Sequence, residues 1–127
     1  MRGARRRDIL AGGAAVMLAG PARAAETHRV NIPQAKTAFE PAELTIKVGD
    51  TVRWRNRSIV AHSVVCDPAK AKDANNGGHP PGAKPFDSGL FSDDATFEHT
   101  FTVAGAYRYF CLEHEAMGMV GRILVEG

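Results

Sequence analysis

The chain has 127 residues, with 16 Lys and Arg against 14 Asp and Glu, a size that suits one domain and not two. Five of those cations and only one of the acids fall in residues 1–24. The remaining 103 residues carry 11 cations against 13 acids, a formal charge of −2 that gives no footing for binding nucleic acid or an acidic membrane surface.

The first stretch reads as an address. Arg5-Arg6-Arg7-Asp8-Ile9-Leu10 carries a twin-arginine pair, the apolar run Ile9 to Gly20 follows, and Ala22-Arg23-Ala24 fits the small-x-small rule for signal cleavage. We expect an export leader over residues 1–24, a mature domain over residues 25–127 and a periplasmic destination. The apolar run falls short of the about 20 residues that span a bilayer, so the mature form should have no membrane span. Retention as an uncleaved anchor is the alternative.

Beyond the leader, short alternating segments bounded by turn residues follow one another. Val30 and Ile32 alternate before Pro33. Leu44, Ile46 and Val48 alternate before the turn Gly49-Asp50. Val52 and Trp54 face one way and Arg53 and Arg55 the other, and Asn56-Arg57-Ser58 makes a polar loop. Ile59 to Cys66 reads as a more buried strand, with His62 and Cys66 both facing inward.

Asp67 to Pro85 is different, being rich in Pro, Gly, Asn and Lys and lacking apolar periodicity. It is expected as an exposed excursion with a fragment of helix near Ala69 to Ala74, and His79 within it as solvated surface. Strand character resumes at Phe86 to Phe91 and at Thr96 to Val103, where Phe97, His99, Phe101 and Val103 share a face. His99 is expected as a hydrogen-bonded core histidine. Ala104-Gly105-Ala106 turns into a strand that places Tyr107, Tyr109 and Cys111 inward and Arg108 and Phe110 outward, and Ile123 and Val125 mark the last strand. About seven or eight strands with no convincing helix predict an all-β domain, a Greek-key sandwich or barrel of two antiparallel sheets.

The chemistry lies in Tyr107 to Val120, where Cys111, His114 and Met119 fall at a Cys-x2-His-x4-Met spacing. Thiolate, imidazole and thioether form a soft donor set that selects copper over hard cations, and His62 can supply a second imidazole. Two imidazoles and a thiolate with a long axial thioether suit Cu(I) and Cu(II) about equally, as electron transfer requires. Met117 competes with Met119 for the axial place. In an exported protein, a disulfide between Cys66 and Cys111 is the competing reading. It would deprive the site of its thiolate, and Cys66 is expected as a lone buried thiol.

The mature chain resembles the small blue copper proteins of the plastocyanin/azurin family. Gly49-Asp50-Thr51-Val52-x-Trp54-x-Asn56, then His62, Asp87-Ser88-Gly89, and Phe101-x4-Gly105-x-Tyr107-x-Tyr109-x-Cys111 follow that family's order. Gly118-Met119-Val120-Gly121 looks like the end of the plastocyanin ligand loop, and Ala116-Met117-Gly118-Met119 looks like pseudoazurin, where the second Met binds. The shorter spacing of amicyanin-like proteins would select Met117. The resemblance implies a cupredoxin fold and one type 1 copper ion held by His62, Cys111, His114 and Met119.

Three departures stand out. Glu113 occupies a position usually held by Pro, and its retained N–H could donate to the Cys111 sulfur. Ser63 replaces an Asn that braces the ligand loop, and is expected to brace it less well. Phe110 stands where photosynthetic plastocyanins carry an exposed Tyr, and no acidic run is present. Glu113 and Glu115 flank His114, the electron port of the family, which predicts a cationic partner surface there. The functional expectation is a monomeric periplasmic electron carrier docking redox proteins at the His114 end, and not an enzyme. The alternative is copper storage or delivery.

Overall fold

The computed structural model describes residues 23–127. The predicted leader therefore lies outside the described residues except for Arg23 and Ala24.

Among the described residues, six strands form two sheets. β1 (Thr27–Ile32), β3 (Thr51–Asn56) and β4 (Thr96–Thr100) lie in the order β1-β3-β4. The other sheet holds β2 (Glu43–Lys47), β6 (Val120–Glu126) and β5 (Gly105–Phe110), in the order β2-β6-β5. The expected all-β sandwich is present, although each sheet is mixed: β1 runs parallel to β3 and β2 parallel to β6, while β3–β4 and β5–β6 are antiparallel. Period-two alternation builds the core, because β1 turns in Val30 and Ile32, β3 turns in Val52 and Trp54, and β6 turns in Ile123 and Val125. Trp54 meets Tyr109 of the opposite sheet edge-on, with ring centroids 5.3 Å apart. Tyr109 pairs with Gly121 across the ladder, and a Cβ there would come within 2.2 Å of the tyrosine ring. That glycine is what lets Tyr109 lie flat against β6.

Two expected strands are not regular. Ile59 to Cys66 and Phe86 to Phe91 are held by single bridges, His62 to Phe91 and Val65 to Asp87 and Phe110. Ile59 and Val60 are exposed, whereas every residue from His62 to Cys66 is buried. A segment buried on both sides has no alternation to read. Val48 is also exposed, lying beyond the end of β2.

The excursion holds two single 3-10 turns, Pro68–Lys70 and Ala74–Asn76, each opened by an Asp side chain that accepts a backbone N–H. Contrary to expectation, it packs down. Gly77 and Gly78 are buried, and Gly78 forms a bridge with Arg108. A Cβ on Gly77 would sit 3.0 Å from the Phe110 ring. The excursion thus roofs the outer face of β5, and Phe110, expected to point outward, is wholly buried.

Asp50, in the turn between β2 and β3, is fully buried and ties the segment from Arg23 to His28 to that turn. Its carboxylate accepts from both Arg23 guanidinium nitrogens at 3.0 and 2.9 Å and from the Glu26 and Lys47 backbone N–H groups, and it meets His28 Nε2 at 2.8 Å. The Arg23 contact, with the other donors, holds the Asp50 pKa far below the usual carboxylate range. A depressed folded pKa stabilises fully above the unfolded value, about 4, and that stabilisation fades as pH falls towards the folded one. The urea midpoint of Asp50→Asn should therefore lie below the parent's at pH 7, with the gap shrinking steadily below about pH 4. A gap constant with pH would contradict this.

Candidate metal centre

β5 delivers Cys111 just past its end, and the segment that follows closes on itself. The Cys111 N–H donates to Met119 O at 3.0 Å, His114 N–H to Cys111 O at 3.2 Å, and Met117 N–H to His114 O at 3.0 Å. A 3-10 turn over Glu115–Met117 ends at Gly118, whose φ of 80° is a left-handed value that glycine adopts without strain. His62 comes from the other side, fixed by reciprocal backbone bonds with Phe91 at 3.0 and 2.9 Å.

Three donors converge. Cys111 Sγ lies 3.7 Å from His62 Nδ1 and 3.4 Å from His114 Nδ1, and all three atoms lie within 4.8 Å of one another. His62 and Cys111 are buried, while His114 is partly exposed. Met119 is fully buried and bonded through its backbone to both Cys111 and His114, whereas Met117 is 65% exposed. Of the two competing thioethers, only Met119 belongs to the buried cluster that contains Cys111. A buried thiol, two imidazoles presenting the same ring nitrogen and an adjacent thioether fit copper by the chemistry of the donor set.

Burial, together with the neighbouring His114, pushes the His62 pKa down, which favours the neutral imidazole that a metal needs. Burial pushes the Cys111 thiol up, partly offset by the backbone amides of Ser63, Glu113 and His114. The Ser63 N–H donates to Sγ at 3.4 Å, and the Cys111 thiol meets Glu113 through its carboxylate, Oε1 lying 3.5 Å from Sγ.

Ser63 does more than expected. Its Oγ accepts the Leu112 N–H at 2.9 Å and donates to Glu113 Oε1 at 2.7 Å. The two departures from the family pattern thus meet, since the carboxylate that replaces Pro reaches the hydroxyl that replaces Asn.

Glu115 also corrects the sequence reading. It is buried and turned away from solvent, accepting from the Lys72 N–H at 2.9 Å, the Asp73 N–H at 3.0 Å and Asn76 Nδ2 at 2.9 Å. The excursion is therefore fastened to the loop that carries His114. Of the two acids expected on the surface beside His114, only Glu113 is exposed. No local pattern announces this tie, because its donors lie about forty residues away.

Both cysteines are free thiols, so no disulfide removes the thiolate. Cys66 is buried, accepts the Phe86 N–H at 3.2 Å, and has its pKa pushed up by burial to about 11. His79 is partly buried and bonded to the Pro80 carbonyl at 3.1 Å, outside the cluster. The His99 ring is held by aromatic packing between Phe86 and Phe101, at 4.6 and 4.7 Å, in place of the expected hydrogen bond.

A family model described as copper binding proteins of the plastocyanin/azurin family matches residues 26–126. A plastocyanin of Nostoc punctiforme is 40% identical over 111 residues, covering 84% of this chain and 79% of that one. A chloroplastic plastocyanin of Tetradesmus obliquus is 34% identical, covering 89% and 78%. Among solved structures, the Cu(I) form of an amicyanin variant superposes with a TM-score of 0.61 at 32% identity, covering 79% of this chain and 82% of that one. A purple cupredoxin from Nitrosopumilus maritimus superposes with a TM-score of 0.61 at 28% identity, covering 78% and 99%.

Proposed function

The chain belongs to the plastocyanin/azurin family of copper-binding proteins, and from that premise we propose that it is an electron carrier whose single type 1 copper is held by His62, Cys111, His114 and Met119. The convergence of two Nδ1 atoms and one Sγ within 4.8 Å, beside a buried thioether, is the observation that supports this reading. Copper, when bound, supplies a one-electron couple. The chain's own residues hold the donors in place: the Cys111-to-Met119 backbone bond closes the loop, the Phe91 bridge fixes His62, and Ser63 ties Leu112 and Glu113 to that bridge. A donor set fixed in this way need move little between oxidation states.

His114 is the ligand through which electrons enter and leave, because its ring is partly exposed whereas His62 is 3% exposed. Leu112 and Met117, exposed on the same loop, give a redox partner an apolar surface there. The working form is a monomer in the periplasm, exported by the twin-arginine route. Cleavage after Ala24 removes Arg23 and leaves Asp50 its bonds to Glu26, His28 and Lys47. Among the described residues, no helix is long and apolar enough to cross a membrane.

Adding Cu(II) to the reduced protein should produce an intense blue absorption, with a reversible one-electron potential and fast self-exchange. Rapid loss of copper to a chelator, with slow self-exchange, would favour copper delivery. The axial assignment has its own test. Met119→Leu should change the visible spectrum and shift the potential by at least about 59 mV, a tenfold change in the Cu(II)/Cu(I) affinity ratio. Met117→Leu should leave both unchanged; the reverse pattern would exchange the two residues' roles.

A further inference from the structure

Four arginines line the outer face of the β1-β3-β4 sheet. Arg29 and Arg53 stand directly opposite each other in the β1–β3 ladder, and Arg55 and Arg57 follow Arg53 at alternate positions, on the same side. With Asn31 and Thr96 they line an open groove of about 500 Å³. Like charges placed directly opposite in a sheet destabilise it, so folding alone gives no reason for the Arg29–Arg53 pair. Two carboxylates offset four guanidiniums: Glu98 pairs with Arg53, and Asp94 grips Arg55 with two bonds of 2.7 and 2.6 Å. Asp94 is itself pinned by its N–H to Asn56 O at 2.8 Å. Arg29 and Arg57 are exposed and have no ion pair among the described residues.

The stripe runs up to the metal centre. Asn56, between Arg55 and Arg57, donates through Nδ2 to Val60 O and to Phe91 O, the same carbonyl that fixes His62. Beyond Arg57 the surface continues into exposed Ile59 and Val60, which lead to His62. This cationic flank sits on a domain whose residues 25–127 are net acidic, and of the two acids expected to draw a cationic partner, Glu113 is exposed and Glu115 is buried.

We propose that the arginine stripe of Arg29, Arg53, Arg55 and Arg57 is a docking surface for a carboxylate-rich redox protein, which it orients with its electron-exchanging edge at the copper end. The inference rests on the electron-carrier reading and reverses the sign of the partner charge expected from Glu113 and Glu115. Such a stripe acts mainly on the rate and orientation of encounter.

The test uses the copper-loaded, reduced chain labelled with nitrogen-15 and titrated with polyglutamate as the carboxylate-rich probe. Amide shifts should cluster on β1, β3 and residues 57–60. Affinity should fall about tenfold or more between about 0.05 M and about 0.5 M salt. R29E/R57E, which leaves both ion pairs intact, should weaken binding at least about tenfold while keeping the parent's copper spectrum. Shifts elsewhere, or an unchanged affinity in R29E/R57E, would overturn the proposal. Inorganic phosphate giving the same shifts at equal charge would make this a small-anion site, and binding only to anionic lipid vesicles would make it a membrane contact; either also overturns it. Failure of the electron-carrier reading is separate, since it would appear before any titration as a colourless protein with no one-electron wave.

Discussion

Cys111→Ser is expected to abolish the intense visible absorption of the copper-loaded protein and to weaken copper binding by well over a hundredfold. Sulfur supplies the soft anionic donor that makes the set selective for copper, and a serine hydroxyl neither ionises near neutral pH nor matches it in softness. The scale follows because loss of an outer hydrogen-bonding partner alone costs about 10- to 100-fold. The domain should still fold, because sheet packing and not the metal holds the core together. Circular dichroism and a titration monitored in the visible range separate the two effects. Cys66→Ser is the control: its thiol lies outside the donor cluster, bonded to the Phe86 N–H. That variant should stay blue at a stability cost of about 1–2 kcal/mol. Loss of colour in both variants, or in neither, would contradict the assignment of the thiolate.

Glu115→Ala should lower stability by about 2–4 kcal/mol, since hydrogen bonds to a charged group contribute about 1.5–3 kcal/mol each and the freed amides can turn partly to water. The loss should be local in origin. Without the carboxylate, the Lys72 and Asp73 amides and the Asn76 side chain lose their common acceptor, and the excursion is no longer fastened to the ligand loop. Amide exchange should accelerate across residues 67–85 and at His114, with the β1–β6 ladders less affected. Glu115→Gln, which keeps an acceptor oxygen, should recover part of the protection. Uniform acceleration through the whole domain would mean that Glu115 supports the core at large and not this tie.

What could be read directly from the chain was whatever repeats at short range. Val30, Ile32, Val52 and Trp54 alternate with polar neighbours, Ile123 and Val125 flank the exposed Leu124, and all six lie in the core. The ligand spacing of Cys111, His114 and Met119 is equally local, and His62 was recognisable through the family order around it. Hidden features depend on long-range contact. Phe110 reads as outward because it shares a strand face with Arg108, but nothing near it in sequence says that Gly77 will cover its ring. The tract from His62 to Cys66 is buried on both sides and shows no alternation. By its length alone Ser63 reads as a weaker brace than Asn; its strength as a brace comes from Glu113, which reaches across to it. The parallel pairing of β1 with β3 and of β2 with β6 depends on how the sheets cross over, which no single strand encodes.

Anomalous diffraction at the copper edge, from crystals of the loaded protein, asks most directly whether these side chains form one metal site. A single copper peak is expected among His62 Nδ1, Cys111 Sγ and His114 Nδ1, with the Met119 sulfur as the remaining neighbour and backbone positions close to those described here. A peak beside Met117 with Met119 remote, copper bound away from Cys111, or a Cys66–Cys111 bridge in its place would contradict the account.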